Sequence, residues 1–402
     1  MRIVYAMLAA GFFAAASATH VGAQTASAPD SVREQPVDTL YQTYEDPAFS
    51  LPLGVGLRIP SYDRVNGLSL PWGPRIRVPG GRIVLDPTVT YRSNLGKFDP
   101  AISGTVAFGH ADSLSVFGGI GTYTNDSWIR SDLVNSLAAI GVGSDARNYF
   151  RGDRVTADLS HAIKGDSWTT SVWVGGLHEF DWSTGLLRPH GKSPWSFFGR
   201  TDSLKMKRIN PYVRRDHITS GLAGVDLAYE QADLKGKVSA KVEHAFNGPH
   251  LTPQDDGNFT QATIHVTSEF PTFGMQSFVF RGHAVTTSGS AAPPQRFAYL
   301  GGAGTLATVD LLALGGDRLV YVEGEYFVPL PKPMLPFVGP PVLSARYAAG
   351  SAGIDDLPDF IQNIGFGLGV KLVKVEYHVD PNYRKTPYTH KHAFAIGFSL
   401  SL

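Results

Sequence analysis

The chain of 402 residues contains no cysteine. An exported protein could have used disulfides, so this fold is held by other means. Lys plus Arg and Asp plus Glu each total 35, for a formal net charge of zero. That balance excludes a basic stripe for nucleic acid and an acidic tail. Beyond the N-terminus there is no long uninterrupted apolar run, so no helix is expected to span a membrane. Charged residues make up only 17% of the chain.

Glycine and aromatics are both plentiful, with 44 Gly, 23 Phe, 16 Tyr and 6 Trp. This mix suits many β-strands with close backbone approaches and aromatic belts at a membrane interface. It does not suit a helical protein. The first 23 residues read as a secretory signal: Arg2 supplies charge, IVYAMLAAGFFAAASA is apolar or small, and Val21-Gly22-Ala23 fits a cleavage site. Residues 24–48 are polar with scattered prolines and read as a flexible arm. From residue 49 to the end the texture is uniform, and no linker or second domain is expected.

That texture is alternation. In NIGFGLGVKL, Ile364, Phe366, Leu368, Val370 and Leu372 oppose Gly365, Gly367, Gly369 and Lys371. In VKVEYHVD, Val373, Val375, Tyr377 and Val379 oppose Lys374, Glu376, His378 and Asp380. Phe394, Ile396 and Phe398 continue the pattern, and RVTADLSHAI and QATIHVTSEF repeat it. A strict period of two gives one apolar face and one polar or small face. A soluble sandwich would bury the apolar faces between sheets. A membrane barrel would turn them to lipid. The export signal, runs matching a tilted bilayer span, and alternating short (164–166, 230–233) and long (125–152, 179–215) connections favour the barrel. About fifteen strands are visible, and one hidden in 49–64 would make about sixteen; fourteen is the alternative.

Between MQSFVFRGHAV and DRLVYVEGEYFVPLP lies FAYLGGAGTLATVD. This layout resembles the bacterial surface antigen family, the BamA-type outer-membrane assembly and translocation barrels. The resemblance is best over about 275–402 and plausible from 61, where SYDRVNGL looks like a strand-one opening. It implies sixteen strands and a loop after strand eleven that folds into the lumen. Leu300, Gly301, Gly302, Thr305 and Leu306 match the first part of that loop's motif. The arginine-glycine-aromatic part is replaced by Ala307, Thr308 and Val309. The strand-twelve glutamate of the family aligns with Glu325, whereas its strand-thirteen aspartate falls at Ala348. Losing arginine and one acid together avoids an unpaired buried charge. The expectation is an inward loop over 289–316 held by packing at its glycines rather than by an ion pair. Glu325 then needs another partner or lumen water. Glu323 shares its strand face, and a hydrated pair of lumen carboxylates is expected.

Other motifs carry blander readings. GGAGT could cradle a phosphate only between a strand and a helix N-terminus, which this pattern lacks. His390, His392 and His378 could approach a metal, but no third ligand is fixed, and neither metal nor cofactor is expected. Serines with His161, His178 or His244 could serve a phospholipase-like barrel, though no spacing links a triad. The proline-dense stretch 330–341 reads as a stiff periplasmic turn. In DLVNSLAAIGVGSDARNYF, Leu133, Leu137 and Ile140 predict a short helix capping one barrel mouth.

The reading is an all-β transmembrane antiparallel barrel over 49–402, without periplasmic domains, in the outer membrane. A pore, translocation or structural role is expected, with a lipid-acting enzyme as the alternative. Expected partners are outer-membrane lipid and a translocated polypeptide or small solute, with no nucleic acid and a monomeric state.

Overall fold

The computed structural model describes residues 49–402 except 79, 110, 185–207, 251–255, 333–339, 371–372 and 399–402. The expected signal and arm lie outside the described residues, as does most of the proline-dense turn. Among the described residues, eighteen strand segments form one sheet. Two of its strands are each broken in two, so the segments amount to sixteen strands. These are β1 (Phe49–Ser50 and Ser61–Asp63), β2 (Gly67–Trp72 and Arg75–Arg77), β3 (Ile83–Arg92), β4 (Lys97–Phe108), β5 (Asp112–Tyr123), β6 (Phe150–Lys164), β7 (Trp168–Ser183) and β8 (Asp216–Gln231). They continue as β9 (Leu234–Asn247), β10 (Phe259–Pro271), β11 (Ser277–Gly289), β12 (Arg318–Pro329), β13 (Pro341–Gly353), β14 (Ile361–Val370), β15 (Val373–Val379) and β16 (His392–Phe398). The hidden strand expected in 49–64 is the broken β1. The break in β2 falls at Gly73, where a Cβ would lie 2.0 Å from the Pro87 carbonyl oxygen of β3. Only glycine allows that approach.

Each strand pairs antiparallel with its neighbours in sequence, and the side-chain faces come out as the alternation predicts. Phe366 is 62% exposed and Phe394 is 80% exposed, while Lys374 and Glu376 of β15 are buried. Val155, Leu159 and Ile163 of β6 are likewise exposed. A water-soluble sheet would invert this order. A barrel in lipid requires it, with apolar side chains outward and polar ones in the lumen. On β14 the inward positions are Gly365, Gly367 and Gly369, and neighbouring side chains lie across the first two. A Cβ at Gly365 would fall 2.5 Å from His378 Nδ1, and one at Gly367 would fall 2.5 Å from Ser344 Oγ.

Connections alternate between short and long ends, as outer-membrane barrels require. The long end carries 124–149, which contains helix α1 (Asp132–Val142). Ser131 caps its N-terminus by accepting from the Val134 amide, and Gly143 ends it in the left-handed region at φ 63°. Its buried face is the polar and small one. Asn135, Ser136, Ala138 and Ala139 are buried, and Leu133 is 48% exposed.

Candidate functional site

The connection between β11 and β12 is the strongest candidate. Its two arms form a small hairpin, Ala298–Leu300 against Leu314–Gly316. The tip between them is shaped by glycine. Gly301 has φ 123° and Gly302 φ 85°. A Cβ on Gly301 would lie 2.1 Å from the Asp310 carbonyl oxygen. The Gly302 amide donates to the carbonyls of Leu306 (3.0 Å) and Val309 (2.9 Å). Thr305 Oγ1 accepts from the Gly301 amide at 2.8 Å. No helix follows this turn, so it lacks the frame of a phosphate loop.

Leu300, Leu306, Val309 and Leu314 pack with Val285 of β11, Leu319 and Tyr321 of β12, and Ala348 and Ala352 of β13. Ala348, where the family pattern has aspartate, is thus an apolar floor under the loop. The five residues singled out in the sequence are brought together here. Leu300, Thr305 and Leu306 are fully buried, and the two glycines make the turn between them.

Glu323 and Glu325 were expected to be hydrated. They are 1% and 5% exposed, and both are paired. The reason lies in cations on neighbouring strands. Arg281 of β11 donates through Nε to Glu323 at 2.9 Å. Arg346 of β13 and the Tyr321 hydroxyl also reach Glu323. Glu325 pairs with Lys374 of β15, which also meets Glu376 at 2.9 Å. Arg346 does a second job by donating to the Thr305 carbonyl oxygen at 2.7 Å. Here the wall carries the cation and the loop supplies the acceptor.

The expectation that no ion pair holds the loop is corrected by Arg296. This buried side chain enters the loop five residues before Gly301. It reaches Glu179 of β7, and its Nε donates to Glu243 of β9 at 2.9 Å. Arg154 and Lys241 supply a second cation to each acid. At the tip, Thr308 exchanges bonds with Asn363 of β14: amide to Oδ1 at 3.1 Å, and Nδ2 to Oγ1 at 2.6 Å. The Thr308 carbonyl accepts from the His390 amide and the Tyr388 carbonyl accepts from the Asp310 amide, tying the tip to 380–391. Anchors therefore lie on β7 and β9 as well as on β13 and β14. Sequence reading missed Arg296, Arg346, Lys374 and Asn363. The one available signal was an arginine in the apolar stretch PQRFAYLGG, with Glu179 and Glu243 at inward positions of their strands.

The remaining candidates separate. His390 faces Asp310 (3.0 Å), His392 meets the Tyr377 hydroxyl (2.8 Å), and His378 lies beside Glu376 (3.7 Å). His161 pairs with Asp112, His178 with Thr219 and His244 with Thr260, on three different strand pairs.

No protein-family profile matches the chain, and no curated protein matches it in sequence. Solved structures do match in fold. CdiB from Escherichia coli has a TM-score of 0.50 at 13% identity, covering 85% of this chain and 61% of CdiB. BamA from Haemophilus ducreyi lacking POTRA domains 1–3 has a TM-score of 0.51 at 12% identity, covering 85% of this chain and 69% of that one. The chain thus spans about three-fifths of the CdiB length. These barrels and the lipid-facing strand faces define the class, an outer-membrane β-barrel. Its fold is that of the BamA-type bacterial surface antigen barrels.

Proposed function

We propose that this protein is a gated translocation or assembly barrel of the outer membrane, with an extended polypeptide as cargo. The observation that carries the reading is the loop between β11 and β12. It lies inside the wall and is anchored at Glu179 and Glu243 on one set of strands and at Arg346 and Asn363 on another. A loop held at both places obstructs free diffusion, which suits a gated path better than a standing solute pore. The likeness to CdiB and BamA barrels supports the same reading. A lipid-acting enzyme gains no support from the separated histidines.

Planar-bilayer recording tests it. The wild type should be quiet, and Arg296→Ala with Arg346→Ala should produce frequent openings. A wild type with steady porin-sized conductance, unchanged by these substitutions, would refute the gate.

A further inference from the structure

We propose that α1 is a wall element. It fills the seam between β1 and β16, caps the free edge of β1, and rests its Leu133–Leu137–Ile140 stripe on lipid acyl chains.

The case starts at the edge of β1. Tyr62 lies opposite Leu68 of β2. Leu68 turns its own backbone to the far side: its amide donates to Ser93 Oγ (2.8 Å) and its carbonyl accepts from the Ser93 amide (3.0 Å). In an antiparallel pair this leaves the Tyr62 amide pointing at the outer edge. That amide donates to Ser136 Oγ of α1 at 3.0 Å. Two residues on, the Arg64 amide donates to Asp145 Oδ2 at 2.9 Å. The other oxygen of Asp145 accepts from Asn135 Nδ2 (2.9 Å) and the Tyr149 hydroxyl (3.0 Å), so the cap is fixed within 124–149. Donors that a last strand would satisfy in a laddered barrel are satisfied here by side chains. Among the described residues no register joins β16 to β1.

On its other flank α1 meets β16. A Cβ at Gly141 would fall 2.9 Å from the Phe398 ring. Phe398 shares a strand face with Phe394 and Ile396, both exposed on the lipid side. Tyr62 of β1 packs on Ala139, with Leu68 and Ile140 beside them. The helix therefore touches the first and the last strand.

Its two stripes fit that place. The polar and small residues Asn135, Ser136, Ala138 and Ala139 are buried, while Leu133 is 48% exposed and Leu137 and Ile140 are half-buried. That arrangement is wrong for water and right for a helix continuous with the lipid-facing surface of β16. A strand edge in hydrocarbon leaves each bare amide with no water to bond, so something must cover β1.

The absence of cysteine makes the test direct. Single Leu133→Cys and Leu137→Cys variants are spin-labelled in proteoliposomes, with Phe394→Cys and Asp359→Cys as lipid-facing and water-facing references. Only protein that migrates as heat-modifiable barrel is scored. Labels at 133 and 137 should match the Phe394 label, being open to oxygen and losing most access to a water-soluble nickel complex. A Tyr62→Cys/Ala139→Cys pair should form a disulfide in folded protein. Labels that match the Asp359 reference would place the helix in water and overturn the proposal. So would failure of the disulfide in folded barrels.

Discussion

Removing the Arg296 guanidinium should be the most damaging single change to the inward loop. Arg296 is buried and reaches Glu179 and Glu243, which are themselves buried. Deleting one partner of a buried ion pair costs about 3–5 kcal/mol, because the remaining charge is left without compensation. Two acids are stranded here, but neither is left alone. Arg154 stays 2.6 Å from Glu179, and Lys241 stays 3.2 Å from Glu243. The lower end therefore applies, about 3 kcal/mol for Arg296→Ala. Arg296→Lys keeps the charge but cannot present Nε and Nη2 to two acids at once, so it should lose about 1–2 kcal/mol. Replacing the three groups together, as Arg296→Met with Glu179→Gln and Glu243→Gln, should return part of the loss: no buried acid is left bare, and the cations left without an acid, Arg154 and Lys241, are partly exposed. The assay is urea unfolding in lipid vesicles, paired with limited proteolysis across 290–317. A single Arg296→Ala variant within about 1 kcal/mol of wild type and equally protease-resistant would refute the ionic account.

Three further outcomes follow from the same site and its surroundings. Leu306→Ala leaves a void among Leu300, Leu319 and Tyr321 and should cost about 2–4 kcal/mol by the same unfolding assay. Gly301→Ala puts a Cβ 2.1 Å from the Asp310 carbonyl at φ 123°; it should lower stability by about 2 kcal/mol or more and increase cleavage at the loop tip. Asp126, in the loop between β5 and β6, has its carboxyl pushed up to about 7 by burial. Between about pH 4 and the folded value, the folded state keeps a proton that the unfolded chain releases. Stability should therefore fall as pH rises through that window and level off above it, by roughly 2–4 kcal/mol in total. Asp126→Asn, which keeps an acceptor for the Asn148 amide, should flatten the difference between unfolding midpoints at pH 4 and pH 8.

The wall was legible because its signal is repeated. Phe394 and Ile396 against Ala395, or Val375 and Tyr377 against Lys374 and Glu376, need only the period of two and the knowledge of which solvent lies outside. β1 was harder because it is broken between Ser50 and Ser61, so no run is long enough to show a period. The helix exists as predicted, Asp132–Val142. The Leu133–Leu137–Ile140 stripe gives the period of the helix, but the face it buries is the polar and small one, Asn135, Ser136, Ala138 and Ala139, whose partners on β1 are far away in sequence. The loop's glycine turn could be read because Gly301 and Gly302 are local devices. Its ion pairs could not, because Arg296 meets acids 117 and 53 residues away in sequence. Whether Glu323 is wet or dry depends on Arg281 and Arg346 from two other strands, and register alone brings them to it.

The bare inner side of β14 divides the work of the wall in an unusual way. Along Gly365, Gly367 and Gly369 the strand gives the interior only its backbone, while Phe366 and Leu368 face the acyl chains. The interior beside it is drawn by side chains of β13 and β15 leaning over that backbone. A single added methyl would act there as a shim, displacing His378 or Ser344 and narrowing the interior. The seal against lipid would be untouched. In this one stave, the residues that keep the membrane out and those that set the interior width can change independently.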